Sequence, residues 1–323
     1  MDSTIGKLRL YGCGGAGINI ASKFADGREY PASAKILASF LDTSRSNIKA
    51  VVSEDQVYIL EDLDGSGKIR AENHQKISVA VKDMLVKHRP EAFNIVVFSA
   101  SGGSGSVIGP LILKELISRG ETAVAIVVGS SESQLTTKNT LNTLKSLEVI
   151  SKQVERPIVL HYQHNHANVK RSEIDQNLAF TVAALAILSS RQNDGLDTQD
   201  LYNWVNFNRT TDLPPSVALL DVCLENAEVE KVKAPVSIAS LFANPDEERL
   251  TVVPEYHCDG YATLPSEFGA KNMHFVISLD DVTRVAQGVS TTLQNLDEIH
   301  RSRVTQQSIV SKTDVATDDG LVL

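Results

Sequence analysis

The sequence predicts an α/β protein: a doubly wound, mostly parallel sheet, a long central helix, and a smaller α/β C-terminal domain. Three observations predict it. Short apolar runs alternate with helical stretches through the first half of the chain, the signature of βαβ units on a parallel sheet. Two of the strand-to-helix turns are rich in glycine. An almost wholly apolar stretch then separates this half from a second strand-bearing region.

In chain order, strands are expected at 8–11, 36–41, 57–60, 95–99, 123–128 and 158–162. They are apolar on consecutive positions, as expected where helices cover both faces. Helical stretches lie between them, for example 71–88 and 107–119. Residues 172–190 contain LAFTVAALAILSS, too long and too evenly apolar for a strand, which reads as a buried central helix. The polar loop RQNDGLDTQD follows. Strand candidates then fall at 217–222, 237–240, 251–253 and 274–278, and 280–300 reads as a long helix. The tail SKTDVATDDGLVL is polar and acidic with a short apolar end, and is expected to be mobile in the free chain. The expected division is a first domain over 1–171, the central helix over 172–194, a C-terminal domain over 195–300 and an acidic tail over 301–323.

The bulk composition excludes several classes. With 323 residues, 42% of them hydrophobic and 22% charged, the chain has the balance of an ordinary globular protein. A net charge of -9 argues against direct nucleic-acid binding, which calls for a basic surface. The three cysteines, Cys13, Cys223 and Cys258, match no zinc or disulfide spacing and suit a reducing compartment. MDSTIGKLRL lacks the basic and apolar regions of a signal peptide. No apolar run reaches the ~20 residues of a membrane helix. A cytoplasmic protein with no membrane partner is expected.

The first glycine loop is Gly12-Cys13-Gly14-Gly15-Ala16-Gly17, between the strand LRLY and the helical INIASKF. Glycines there permit a tight turn and let backbone N–H groups approach phosphate oxygens, and the helix N-terminus adds positive potential. Asn19, in the following helix, is grouped with this loop. The same residues fit G-x-G-x-x-G, and Asp42 ends the second strand where a dinucleotide enzyme would hold its ribose. An NAD-dependent dehydrogenase is therefore a competing reading. A bare strand-helix turn needs fewer than four glycines in six residues.

The second loop, Ser99-Ala100-Ser101-Gly102-Gly103-Ser104-Gly105-Ser106, joins NIVVF to VIGPLILKELISRG. One dinucleotide fingerprint leaves this loop unexplained. Two loops holding one triphosphate explain both. Neither contains G-x-x-x-x-G-K-[ST], so phosphate charge falls to backbone N–H groups, helix dipoles and Mg2+. A flexible serine-rich linker would not sit between a core strand and an apolar helix.

Asp197 and Asp200 open the segment before LYNWVNF. Three residues apart at a helix start, both carboxylates can share one face and polarise a water. Taken alone, such residues more often cap the helix.

The order of two glycine loops, long apolar helix and acidic pair resembles the tubulin/FtsZ superfamily, and within it the divergent phage tubulins. Ser101 to Ser106 looks like the family's phosphate-contacting signature loop, with Ser104 at the usual threonine and Val107 at a frequent glycine. Gly12 to Gly17 looks like its first phosphate loop. Asp42-Thr43-Ser44 and Gly65-Ser66-Gly67-Lys68 sit where the second loop and the γ-phosphate-sensing loop would be. Gly195 to Asp200 resembles the synergy loop N-x-D-x-x-[DE], with Gly195 in place of the asparagine.

The resemblance implies a cytoskeletal GTPase that binds GTP or GDP with Mg2+. It would polymerise head to tail with copies of itself and hydrolyse GTP at the subunit junction through the next subunit's Asp197 and Asp200. It also implies guanine contacts by an asparagine after the sixth strand and an asparagine or aspartate in the central helix, by position Asn165 and Asn177, and a ribose contact by Glu132. The tail would bind the neighbouring subunit, with Asp314, Asp318 and Asp319 as candidates. The polymer would position phage or plasmid cargo in a bacterial host. A nucleotide-gated filament without hydrolysis is the remaining alternative, motivated by Gly195. His161, His164 and His166 lie at a strand end, where alternate side chains face opposite ways, and are read as ordinary strand-end residues.

Overall fold

Leu8 and Leu10 of the first strand belong to one apolar layer, and Tyr11 and Cys13 to another. The same alternation runs through the fourth strand, with Ile95 and Val97 on one side and Val96 and Phe98 on the other. This two-sided burial is why the strands read as unbroken apolar runs. The structure, a computed structural model, describes residues 5–60, 63–165, 168–246, 249–266, 268–269 and 271–304. The tail residues Asp314, Asp318 and Asp319, and His166, lie outside them.

In the first half, β1 (Lys7–Cys13), α1 (Gly14–Ala21), β2 (Lys35–Asp42), β3 (Val57–Ile59), α2 (His74–Lys87), β4 (Phe93–Ser99), α3 (Gly105–Ser118), β5 (Ala123–Ser130), α4 (Gln134–Val154) and β6 (Ile158–Asn165) alternate, and α5 (Arg171–Leu188) follows. The second half holds β7 (Asn193–Asp194), α6 (Thr198–Val205), β8 (Val217–Cys223), α7 (Asn226–Val229), β9 (Pro235–Phe242), β10 (Tyr256–Ala262), β11 (Met273–Ser278) and α8 (Asp280–Val304). α1 and α5 seal one face of the first-half sheet, and α2, α3 and α4 the other.

All strands join one sheet, in the order β3-β2-β1-β4-β5-β6-β8-β11-β9-β10-β7. From β3 to β8 every pairing is parallel. β11 then runs antiparallel to both β8 and β9. The two halves meet where β6 and β8 pair over Ile158 to Leu160. Past that seam, His161 Nδ1 reaches the Leu220 carbonyl at 2.9 Å. Trp204 of α6, fully buried, packs edge-on against Phe275 and donates its indole N–H to the Phe275 carbonyl at 3.1 Å.

One expectation of the fold needs correction. The strand anticipated at 251–253 is not one: Val253 is 90% exposed and Pro254 follows it, removing a donor and fixing φ. The strand is β10, whose sequence YHCDGYA is too polar to announce itself. The inner face of α4 carries Thr136, Thr140 and Thr143, all buried, which masks its helical pattern in the sequence. Thr140 Oγ1 lies 2.9 Å from the Thr136 carbonyl oxygen and Thr143 Oγ1 2.8 Å from that of Asn139, so these hydroxyls have acceptors within reach on an interior surface.

Candidate functional site

The strand order reverses between β1 and β4, and both glycine loops leave the sheet there, at the C-terminal strand ends. Such a switch point opens a crevice, because the two chains turn to opposite sides. The loops touch. Gly14 has φ +68°, and a Cβ on it would lie 2.6 Å from the backbone N and Cα of Gly105. A Cβ on Gly105 would lie 2.7 Å from the Cys13 carbonyl oxygen. Gly17 lets α1 close on β4: its Cβ would lie 2.1 Å from the Val97 oxygen.

The second loop is held by its carbonyls. Thr143 Oγ1 donates to Ala100 O at 2.9 Å and Asn139 Nδ2 to Ser101 O at 3.1 Å. Ser106 Oγ lies 2.7 Å from Gly102 O and 3.0 Å from Gly103 O. With the oxygens drawn back, the N–H groups of Gly102, Gly103, Ser104 and Gly105 are left without a partner among the described residues. α1 and α3 both begin without a side-chain cap and without an acidic residue in the first turn. Two sets of orphan helix N–H groups and two positive dipole ends therefore open on one place. Pro110 lacks the N–H that would bond Ser106 O, and Arg70 Nη2 donates to that carbonyl instead at 3.2 Å.

Ser104 ties the remaining loops to this cradle. Its Oγ lies 2.5 Å from Thr43 Oγ1 and 3.0 Å from Ser66 Oγ. Asn73 Nδ2 donates to Ser66 Oγ at 3.0 Å and to the Gly65 carbonyl at 2.8 Å. Gly65, Gly67 and Lys68 all have positive φ, so this segment curls over the cavity. Asp42 accepts from Thr43 N at 2.7 Å and from Asn47 Nδ2 at 2.8 Å. Burial pushes its carboxyl above the usual range, and those hydrogen bonds pull it back. With both oxygens engaged and 2% exposure, Asp42 is no free ribose acceptor, which removes the support for a dinucleotide enzyme. Burial, with the Asp42 charge, pushes the Cys13 thiol well up, so it packs as a neutral side chain.

The cavity encloses about 650 Å³, the size of a site for one nucleotide. Cys13, Gly14, Gly15, Ala16, Asn19, Asp42, Gly65, Lys68, Ser101, Gly102, Gly103, Ser104, Gly105, Glu132 and Asn165 line it. Gly12, Gly17, Thr43, Gly67 and Ser106 do not: Gly12 and Gly17 serve close packing, and Thr43 and Ser106 brace the loops from behind. Asn177 also misses the cavity and is exposed. Half a turn earlier on α5, Asp175 lines it instead, because helical periodicity turns 175 and 177 to different sides. Asn19 Nδ2 donates to Asp175 Oδ2 at 2.5 Å, and Lys49 Nζ to Asn19 Oδ1 at 2.6 Å. Glu132 pairs with Arg171 at 2.5 Å.

Sequence reasoning missed Asp64, Asn139, Thr143 and Asp175. Only Asp175 carried a signal, as an acidic residue near the start of the central helix. The charged lining is Asp42, Asp64, Glu132 and Asp175 against Lys68 and Arg171, so side chains alone do not make the cavity cationic.

Asp197 and Asp200 lie at the opposite pole. Asp197 shares a shallow pocket with Phe93, the first residue of β4, whereas the cavity takes Ser99 from the last. α5 runs between the poles, about 27 Å at helical rise. The pair forms a capping box: Asp197 Oδ1 accepts from Gln199 N at 2.7 Å and Asp200 N at 2.9 Å, and Asp200 Oδ2 from Asp197 N at 3.0 Å. Each carboxylate keeps one oxygen outside the box.

Comparisons with known proteins identify the family of the chain. The Tubulin/FtsZ family GTPase domain matches residues 7–170, and the C-terminal domain of phage tubulin-like proteins matches 196–280. The phage tubulin-like protein of Pseudomonas phage phiKZ is 30% identical over 328 residues, covering 98% of both chains. That of Pseudomonas phage PhiPA3 is 30% identical over 319 residues, covering 98% of this chain and 99% of its own. A protofilament of TubZ from bacteriophage PhiKZ superposes with a TM-score of 0.89 at 30% identity over 98% of this chain and 99% of that one. The GDP-bound phage tubulin PhuZ gives 0.86 at 27% identity over the same shares. The chain belongs to the tubulin/FtsZ family, among the phage tubulin-like cytoskeletal proteins.

Proposed function

We propose that this protein is an assembly-coupled GTPase that polymerises head to tail into dynamic filaments and positions phage cargo in the cytoplasm of a bacterial host. The observation that carries the reading is the polar separation of its two halves. The amide cradle lies at one end of α5 and the acidic pair at the other, so no side chain of one subunit joins them. A head-to-tail contact does, and because it is heterologous it propagates as a filament.

In this reading the N–H groups of Gly14, Gly15 and Ala16 and of Gly102 to Gly105 hold the phosphates. Asp175 accepts from the guanine N1–H and exocyclic amine, and Asn165 and Glu132 flank the base and ribose. Mg2+, when bound, neutralises phosphate charge. Asp64 and the Ser44 hydroxyl, both lining the cavity and 3.0 Å apart, are the hard oxygen donors that fit it. The capping box does not compete with catalysis. It locks the carboxylate rotamers of Asp197 and Asp200 so that their outer oxygens orient water toward the adjoining subunit's γ-phosphate.

Light scattering with simultaneous phosphate release tests this. GTP with Mg2+ should give scattering that rises and then decays, with phosphate released only above a critical protein concentration. GDP, ATP and NAD should give neither signal. Asp200→Asn, which preserves an acceptor for the cap, should assemble but release phosphate at least about 100-fold more slowly. Wild-type turnover in that variant sinks the proposed role of the pair. Assembly by the wild type without phosphate release leaves a nucleotide-gated filament in its place.

A further inference from the structure

Arg191 is an arginine where the chain favours glycine. It lies two residues past the C-cap of α5, with φ 57° in the left-handed region that favours glycine. Its side chain is exposed and makes no hydrogen bond or ion pair with any described residue, so local structure gives no reason for it. It lines the same shallow pocket as Asp197. The Ser190 carbonyl beside it accepts from Gly6 N at 2.8 Å, just below the first residue of β1. That fixes Arg191 on the acidic-pair pole, a full strand length from its own cavity.

The cavity has a matching deficit. Four carboxylates line it against Lys68 and Arg171, and Arg171 is already paired with Glu132. Lys68, the remaining cation of the wall, is also held left-handed, at φ 65°. The chain thus keeps a strained cation at each pole, one in the cradle and one beside the acidic pair. Left-handed residues cluster at functional sites, and of the five described non-glycine residues with positive φ these two are the cations.

We propose that Arg191 acts in trans: its guanidinium meets the phosphates of the nucleotide held by the adjoining copy, on the side opposite Lys68. There it supplies the positive charge that neither glycine loop carries and stabilises charge developing on the transferred phosphoryl group. Asp197 and Asp200 orient the water, and Arg191 receives the charge. The inference rests on the shared-site reading given above.

The test measures phosphate release per sedimented subunit, with thermal melting as the fold control. If wild-type protein releases no phosphate with GTP and Mg2+, the shared-site reading itself fails. Given wild-type turnover, Arg191→Ala should sediment normally with a slowly hydrolysed GTP analogue yet release phosphate about 100-fold or more slowly. Arg191→Lys should fall between the two, since it keeps the charge without the planar fork. Arg191→Gly should melt a few degrees higher than wild type, through relief of the left-handed strain, while being as slow as the alanine variant. A stabilised but inactive glycine variant is an outcome that a purely structural role would not produce. Wild-type turnover in Arg191→Ala overturns the proposal. So does loss of assembly with the analogue, which would make Arg191 an ordinary interface contact.

Discussion

Gly14 and Gly105 each occupy the space that a side chain on the other's loop would need, with 2.6 Å between a virtual Gly14 Cβ and the Gly105 backbone. The two loops are therefore one structural unit, closed only when both residues lack a Cβ. Gly14→Ala adds a steric clash to the penalty of a left-handed alanine, about 1–2 kcal/mol. The loops should part and their N–H groups diverge. Titration of a fluorescent GTP analogue should show affinity weakened at least about tenfold. Unchanged affinity would mean that the contact between the loops does not shape the cradle.

Ser104 joins three loops through one hydroxyl, with Thr43 and Ser66 as partners and 8% exposure. Ser104→Ala strands the Thr43 hydroxyl, which is wholly buried. Leaving one buried hydroxyl unpaired costs roughly 1–3 kcal/mol. Urea unfolding of the ligand-free protein should register that loss. A variant as stable as wild type would show that water replaces the serine without cost.

Asp175 offers its second carboxylate oxygen to the cavity while Asn19 holds the first. A carboxylate accepts two hydrogen bonds from guanine, whereas a carboxamide can donate to the O2 of xanthine. Asp175→Asn should lower affinity for GTP by about 1–3 kcal/mol and raise that for xanthosine triphosphate. Competition binding with both nucleotides reads this out. Equal loss for both would place the base elsewhere.

The parallel half of the fold was legible because its strands are covered on both faces. Ile95 to Phe98 are all buried, and no periodicity had to be resolved. The glycine loops were legible because close backbone approach leaves a compositional trace. What stayed hidden was polar by necessity. Thr143 and Asn139 of α4 look like surface residues, yet they clamp the carbonyls of the second loop. β10 exposes one side and alternates polar with apolar residues. Position along the chain points to Asn177, and only the helix phase turns the cavity-lining role to Asp175, two residues away. The continuity of the sheet across β6 and β8 depends on three residue pairs that no local pattern encodes.

His88 and His274 give the protein a defined acid sensitivity. Both are buried, and burial lowers each imidazole to about 4 from the usual 6.5, with His257 adding to the effect at His274. His274 is held neutral against Ser240 Oγ at 3.0 Å. Between about pH 6.5 and 4 the unfolded chain binds protons at these sites and the folded chain does not, so stability falls as pH falls through that window. Above it, neither state is protonated and the sites contribute no pH dependence. A shift of this size is worth up to about 3 kcal/mol per group at the acid end. Urea midpoints at pH 7.5 and 5.0 should therefore differ measurably. His274→Gln, which can still bond Ser240 but cannot titrate, should be less stable than wild type at pH 7.5 and lose less on acidification. An undiminished acid loss in that variant would assign the sensitivity to groups other than His274.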